Sequence, residues 1–274
     1  MRTNKYPSDL TDDQWQLIER RFPVYPGGRP RKTSLRDVAD AIFYLLRTGC
    51  QWRYLPKDFP PKSTVWRYFN EWRHNGTLEE IHDTLRNQVR KQEKPNCPRH
   101  TASIDSQSVD TSSGGQAIGR DNAKNVDGRK RHIVVDSLGL LLAVVVTAAD
   151  IDDAAAAPAA LRQLEDQPLS KLRCVYGDSK YHNHALYGWV DENSWYDLEI
   201  VRRPKGAEGW VRLPIRWMVE RTFAWLTKYR RLNLDREKST RSAEGMIRLA
   251  MIHLMLNRLC PKNDDAEFHY REAV

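Results

Sequence analysis

The sequence has little that would suit a membrane or an oxidising compartment. Its N-terminus, MRTNKYPSDL, lacks the apolar stretch of a secretory signal, and its longest apolar run, residues 140–146, is too short to span a bilayer. The four cysteines are scattered with no CxxC pair, which argues against both a zinc site and a disulfide framework. We therefore expect a soluble, cytoplasmic protein with reduced cysteines.

Basic and acidic residues are unevenly distributed along the 274-residue chain. Residues 1–100 carry 19 Lys and Arg against 12 Asp and Glu, and residues 201–260 carry 14 against 5. Residues 101–200 show the opposite balance, 9 against 15. Basic blocks favour a polyanion partner such as DNA, and an acidic centre would repel that partner unless metal cations lay between them.

The first third reads as short amphipathic helices. Residues 11–22 begin with Thr11 as a cap, residues 34–48 are capped by Ser34 and closed by Gly49, and Ser63 is the expected cap of the next helix. This pattern is typical of a helix-turn-helix DNA-binding module, although an ordinary helical bundle has the same pattern. The candidate DNA contacts on its helices are Arg67, Asn70 and Arg73.

The loop YPGGRPRK contains two prolines and two glycines, so it cannot form regular structure. Its Gly28-Arg29-Pro30 core is similar to an AT-hook, an extended basic peptide that lies in the minor groove, and a plain basic loop is the alternative. Arg29, Arg31 and Lys32 are the candidate DNA contacts of this loop.

From residue 101 the periodicity changes to that of strands. TASIDSQSV, GRKRHIVVD and LLLAVVVTAA predict a three-strand meander, which KLRCVYGD and YDLEIVRR extend through helical connections. The expected fold is mixed α/β, with a five-stranded mixed sheet covered by helices on both faces. We divide the chain into a helical domain (1–94), a catalytic domain (95–260) and a polar C-terminal tail (261–274).

Residues 214–232, PIRWMVERTFAWLTKYRRL, predict a helix with a broad apolar face. Glu220 lies opposite that face, with Arg216 and Arg231 near it. A solvated Glu220 paired with Arg216 is the simple interpretation of this helix alone.

Two aspartates upstream change that interpretation. Asp105 lies within the first strand, where a carboxylate is costly unless it is paired or bound to metal, and Asp178 ends the fourth strand. Neighbouring strands would bring the two together, and a helix packed on the sheet would deliver Glu220. Three carboxylates at one point imply a cation, and oxygen ligands suit Mg²⁺ or Mn²⁺. A pair of such ions about 4 Å apart performs in-line phosphoryl transfer without a general-base histidine.

The chain resembles the DDE transposases of bacterial insertion sequences, specifically the insertion-sequence-five group of the four/five superfamily. The matching segments are TASIDSQSV, GRKRHIVVDSLGLLLAVVV, CVYGDSKYHN and RWMVERTFAWLTKYRRL. Between Asp105 and Asp178 lie 72 residues, and between Asp178 and Glu220 lie 41, as in that pattern. The N-terminal stretch from LTDDQWQLIERRFP to STVWRYFNEW resembles this group's DNA-binding domain. The resemblance implies a ribonuclease-H-like core, two divalent metals (Mg²⁺, with Mn²⁺ able to substitute), cleavage at terminal inverted repeats and strand transfer.

The chain departs from the superfamily's extended signature beside the glutamate. Arg216 is in place, but Leu213 and Thr227 stand where the family has Tyr and Lys, so only Arg216 carries over as a phosphate contact. From the helix face we add Lys228 and Arg231, and from the second strand the basic run Arg129, Lys130 and Arg131. Asp150, Asp152 and Asp153 are interpreted as helix-capping acids.

The sequence therefore predicts a DNA transposase that acts on double-stranded DNA as a homodimer and is nucleoid-associated when bound. Two element ends must be held together, which is the reason to expect two copies. A non-catalytic DNA-binding regulator or inactive relative, and a structure-specific nuclease that hydrolyses without joining, are the alternatives.

Overall fold

The computed structural model describes residues 6–23, 31–93, 100–112, 114–201 and 216–262. Its helices are α1 (Asp12–Ile18), α2 (Leu35–Thr48), α3 (Lys62–His74), α4 (Thr77–Glu93), α5 (Asp153–Arg162), α6 (His184–Asn193), α7 (Arg216–Thr227) and α8 (Thr240–Leu259). Its strands are β1 (Thr101–Asp110), β2 (Gly119–Asp121), β3 (Val126–Asp136), β4 (Leu141–Ala148), β5 (Cys174–Gly177) and β6 (Asp197–Ile200). Within the described ranges, no helix has the length and apolar character needed to cross a membrane.

The N-terminal helices begin and end largely where their capping residues predict. Thr11 and Gln14 form a reciprocal capping box at α1, and the Ser34 hydroxyl accepts from the Asp37 amide at α2. Gly49 ends α2 in the left-handed region, with φ of 71°. The predicted cap of α3 is wrong: the helix begins at Lys62, because the Pro61 carbonyl already accepts from the amides of residues 64 and 65.

The mixed sheet is confirmed, with one strand more than predicted. β1, β3 and β4 form the antiparallel meander, and β5 and β6 extend the sheet in parallel from β1. The additional strand, β2, pairs with the first residues of β3 inside the polar, glycine-rich loop. Among the described residues the sheet therefore has six strands rather than five. β2 has only three residues, too few for an alternation that a sequence pattern could reveal.

Each face of the sheet has its own apolar core. Val134 of β3 packs with residues of α5 and α6, whereas Ile133 and Val135 point to the opposite face. That opposite core is shared by β4, α7, α8 and the N-terminal helices. Helix α8 packs against each of the four N-terminal helices, α1 to α4. The boundary between residues 94 and 95 remains a prediction, but the two regions on either side of it bury apolar side chains together.

The helix that carries Glu220 is shorter than predicted. Its expected start at Pro214 lies outside the described residues, and α7 ends at Thr227, after which residues 230–232 form a 3-10 turn. Tyr229 and Leu232 are still buried, as the apolar pattern predicts, but they reach the core from this turn. The side chains after Thr227 therefore do not point in the directions that a continued α-helix would give them.

Candidate active site

The two aspartates singled out from the sequence occupy matching positions on adjacent strands. β1 and β5 run parallel, and their three bonded pairs, from Thr101 with Cys174 to Ser103 with Tyr176, each differ by 73 positions. Asp105 and Asp178 differ by the same number and lie two residues beyond the last of those pairs. Asp178 directly follows β5 in an extended conformation, so the register places the two aspartates side by side.

The direction of Asp105 follows from the alternation of β1. Ala102 and Ile104 belong to the core under α5 and α6, so Asp105 lies on the opposite face of the sheet. That face is covered by α7, which lies against β1 and β3 and whose Val219 and Phe223 share an apolar core with Ile133 and Val135 of β3. Glu220 follows Val219 on the same helix and is exposed.

The described residues contain no group of three or more His, Cys, Asp or Glu side chains arranged as a metal site. The structure thus brings Asp105 and Asp178 to neighbouring positions and places Glu220 on the helix that covers their face of the sheet. Both aspartates are half-buried. An Asp105 carboxylate oxygen accepts from the Ser106 amide at 2.7 Å, and Asp178 accepts from the Lys180 amide at 2.9 Å, which orients each carboxylate.

A buried tyrosine lies beneath this pair. Tyr181, in the 3-10 turn after Asp178, is fully buried, and its hydroxyl has no hydrogen-bond partner among the described residues. Burial, together with the negative charges of Asp105, Asp153 and Asp178, raises the pKa of Tyr181 well above its usual range. Asp152 adds a smaller contribution of the same sign, so the negative charges of four carboxylates act on this one tyrosine.

Asp153 is the member of this group that sequence reasoning missed. The sequence pattern predicts a helix-capping acid at this position, but Asp152 caps α5 and accepts from the amides of Ala154 and Ala155. Asp153 instead accepts a 2.8 Å bond from the Ser106 hydroxyl and pairs with Lys130 and Lys180.

Two polar residues of the strands could have indicated the role of Asp153. Ser106 and Lys130 occupy positions that point toward the core under α5, where polar side chains need a buried partner. Burial alone would raise the pKa of Asp153, but the bonds from Ser106 and Lys130 and the charge of Lys180 outweigh it, so the pKa lies below its usual range.

The basic run of β3 does not face solvent, which corrects its expected role as a DNA contact. Arg129 donates to the Glu237 carbonyl and pairs with Asp235 at 3.2 Å. Arg131 donates to the Leu232 carbonyl, and burial lowers its pKa to about 10. Lys130 is held by Asp153 and by the Ile151 carbonyl. All three side chains are buried because β3 is a central strand with both faces covered.

Arg231 is corrected for a similar reason. It lies in the 3-10 turn after α7, pairs with Glu237 at 2.6 Å and donates to the Cys50 carbonyl, so it is buried. Lys228, just before this turn, is exposed.

The candidate DNA contacts of α3 differ in how far their side chains are exposed to solvent. The Arg67 side chain is 59% exposed, pairs with Glu71 and lies over the Tyr68 ring. Asn70 and Arg73 bond to each other and are half-buried. In the preceding loop Arg31 and Lys32 are exposed. Arg29 and the side chain of Arg216 lie outside the described residues.

Two family models match the chain. One, described as "Transposase DDE domain", matches residues 97–255, and one described as "Putative transposase of IS4/5 family" matches residues 10–82. Because the first match alone covers more than half of the chain, the protein belongs to the DDE transposases. Within them, the N-terminal match makes it a member of the IS4/5 type.

Individual relatives agree with this membership. The chain is 30% identical over 121 residues to "Insertion element IS402 uncharacterized 16.2 kDa protein" of Burkholderia cepacia, covering 40% of this chain and 79% of the relative. It is 30% identical over 138 residues to "Putative transposase for insertion sequence element IS402" of the same organism, covering 48% and 64%. "Uncharacterized protein y4sN" of Sinorhizobium fredii is 37% identical over 73 residues, covering 26% and 58%. The chain thus spans a little under two thirds of the IS402 transposase.

Proposed function

We propose that the protein binds the terminal inverted repeats of an insertion sequence, cleaves the element ends and joins their 3′-OH groups to target DNA. The observation that carries this proposal is the shared register of Asp105 and Asp178, on the sheet face covered by the helix that bears Glu220. Family membership supports the reaction class.

The donor set suits a hard divalent cation. Asp105 and Asp178 offer carboxylate oxygens from two adjacent strand positions, and Glu220 is the third ligand, contributed by α7. Two Mg²⁺ ions, or Mn²⁺ in their place, would supply activation of the attacking hydroxyl and stabilisation of the leaving oxygen. A bound cation would also offset the repulsion between two half-buried carboxylates side by side.

The chain's own groups hold this site in place. The backbone amides at Ser106 and Lys180 orient the two aspartates, and Tyr181, in the turn after Asp178, is buried in the core shared with α5 and α6. Because α7 lies against β1 and β3 and buries apolar residues in the same core as Ile133 and Val135 of β3, Glu220 is held on a rigid element rather than on a loop.

DNA is the partner that this site requires. We assign end recognition to the helical region, through Arg67, Asn70 and Arg73 of α3 and through Arg29, Arg31 and Lys32 before α2. Arg216 and Lys228 are the proposed phosphate contacts beside Glu220. The active form is a homodimer on double-stranded DNA, found in the cytoplasm and on the nucleoid. The buried residues Arg129, Lys130, Arg131 and Arg231 have no part in this interface.

A joining assay tests the function. Pre-cut inverted-repeat ends are incubated with target DNA and Mg²⁺, and joined products are the expected result. Hydrolysis without joining would point to a structure-specific nuclease, and binding without any cleavage would point to a regulator.

The same assay tests the third carboxylate. Glu220→Gln should lower joining by at least about a hundredfold, or about 2.7 kcal/mol, with DNA binding retained. Glu192→Gln, the same change at an exposed position of α6, is the matched control and should leave joining unchanged.

A further inference from the structure

A polar cluster, buried at Asp153 and Lys130 and half-exposed at Lys180, links β1 to the turn that follows Asp178. Its centre is Asp153 at the start of α5, only 3% exposed. One carboxylate oxygen of Asp153 accepts from the Ser106 hydroxyl at 2.8 Å and lies 3.1 Å from the Lys130 ammonium, and its other oxygen lies 3.5 Å from the Lys180 ammonium. Three separate elements, β1, β3 and the turn after β5, therefore converge on one side chain.

The identity of these partners is the informative feature. Ser106 is the residue after Asp105, and Lys180 is two residues after Asp178. Asp153 thus accepts a hydrogen bond from the residue next to Asp105 and pairs with a lysine two residues after Asp178. It does so from the face of the sheet opposite Asp105, since Ser106 and Asp105 point to opposite faces of β1. Lys130, from the central strand β3, is the third partner of Asp153, and it also donates to the Ile151 carbonyl just before α5.

Packing alone does not require this arrangement. A buried carboxylate with a buried ammonium is often no more stable than an apolar pair of the same volume, so such a pair is weak evidence of a purely stabilising role. Asp152 already caps α5, so Asp153 is not needed to begin that helix.

We propose that Asp153 is a positioning residue that fixes the distance between the Asp105 and Asp178 carboxylates, and so sets the divalent-cation affinity of the site, without touching the cation itself. This inference rests on the proposed function of the two aspartates. Groups that orient metal ligands from behind commonly change metal affinity or activity by about 10–100-fold when they are replaced.

The test measures Mn²⁺ binding to the full chain by titration calorimetry, alongside Tm without metal. Asp153→Asn keeps an acceptor for Ser106 but loses the charge that holds both lysines. We expect Mn²⁺ affinity to fall about 10–100-fold. The control is Asp152→Asn, which removes the same charge one residue away and keeps a good helix cap, so its Mn²⁺ affinity should equal that of the wild type.

A second pair of variants avoids the buried ion pair, in case Asp153→Asn does not fold. Ser106→Ala deletes only the hydroxyl that joins β1 to Asp153, and a several-fold loss of Mn²⁺ affinity is expected. Ser108→Ala is the matched control, because Ser108 lies two residues along the same face of β1 and donates to Asp121 instead. The inference would be overturned if the Asp153→Asn or Ser106→Ala variant folds and binds Mn²⁺ as tightly as its control, Asp152→Asn or Ser108→Ala, whether or not its Tm has changed.

Asp105→Asn and Asp178→Asn separate this inference from the function on which it rests. If both abolish Mn²⁺ binding while Asp153→Asn and Ser106→Ala leave it unchanged, only the positioning role fails. If neither aspartate variant affects Mn²⁺ binding, the proposed active site fails, and the role of Asp153 fails with it.

Discussion

Two regions of this protein whose basic residues are candidate DNA contacts in the sequence have opposite surroundings in the fold. The run from Arg129 to Arg131 lies in a central strand with helices over both faces, so its side chains are buried and bind carbonyls and carboxylates. Arg67 lies on the outer side of α3 with most of its side chain in solvent. Net charge therefore indicates a polyanion partner, but the position of an element in the fold decides which cations can reach it.

The largest expected effect contrasts these two arginines directly. Arg129→Met removes the arginine that pairs with the buried Asp235 carboxylate, so the free energy of unfolding should fall by about 3–5 kcal/mol. Arg67→Met, the same substitution at an exposed site, should change it by no more than about 0.5 kcal/mol. Urea denaturation of both variants measures the difference, and equal losses would contradict the assignment of Arg129 to the interior.

Buried histidines extend the comparison to pH. Burial lowers the pKa of His132 to about 4, and the same cause lowers that of His82 to about 4 and that of His253 to about 3. The unfolded chain takes up protons near pH 6.5 while the folded chain does not, so stability should be lost as the pH falls from about 6.5 to 4.

His132→Gln tests this linkage. Its slope of unfolding free energy against pH should be smaller than that of the wild type by up to about 1.4 kcal/mol per pH unit within that window. Denaturation curves at several pH values give the slope. An unchanged slope would mean that His132 is not held neutral by burial.

A smaller effect is expected for DNA binding through α3. Arg67→Ala should weaken binding to the repeat ends and reduce the salt slope, the change of log K with log salt, by about 1, with unchanged Tm. Arg162→Ala, at an exposed position of α5, should leave the salt slope unchanged. If the two variants behave alike, α3 does not hold a phosphate through Arg67.

The smallest expected effect is the stability loss caused by a substitution at the start of α3, the helix that carries Arg67. Ser34→Ala removes a hydroxyl that caps α2 and should cost about 1 kcal/mol. Ser63→Ala, at the residue that sequence pattern alone would make a cap, should cost no more than about 0.5 kcal/mol, because α3 begins one residue earlier. Thermal denaturation compares the two, and a larger loss at Ser63 would argue that its hydroxyl caps α3 after all.

Local signals predicted most of the fold. Thr11, Ser34 and Gly49 act at helix ends through contacts within a few residues, and strand alternation identified five of the six strands. The placement of Asp105 opposite Asp178 was also predictable, because a parallel pairing of the first and fourth predicted strands aligns them.

Features set by long-range packing were not predictable. The β3 basic run turns inward because of its neighbours in the sheet, and Arg231 turns inward because α7 ends at Thr227. Asp153 and Asp152 are adjacent acids of equal capping propensity, and only the packing of α5 on the sheet directs one of them to Ser106 and Lys130. Three-residue β2 carries too little pattern to be seen.

Metal-dependent cleavage of repeat-end DNA by Asp105→Asn tests the central claim most directly, with Asp110→Asn as the control. Both residues lie on β1, and Asp110 is exposed at its far end. We predict that Asp105→Asn binds the repeats normally but loses Mg²⁺-dependent cleavage by at least about a hundredfold, while Asp110→Asn cleaves like the wild type. Cleavage that survives in Asp105→Asn, with repeat binding intact, would contradict the account.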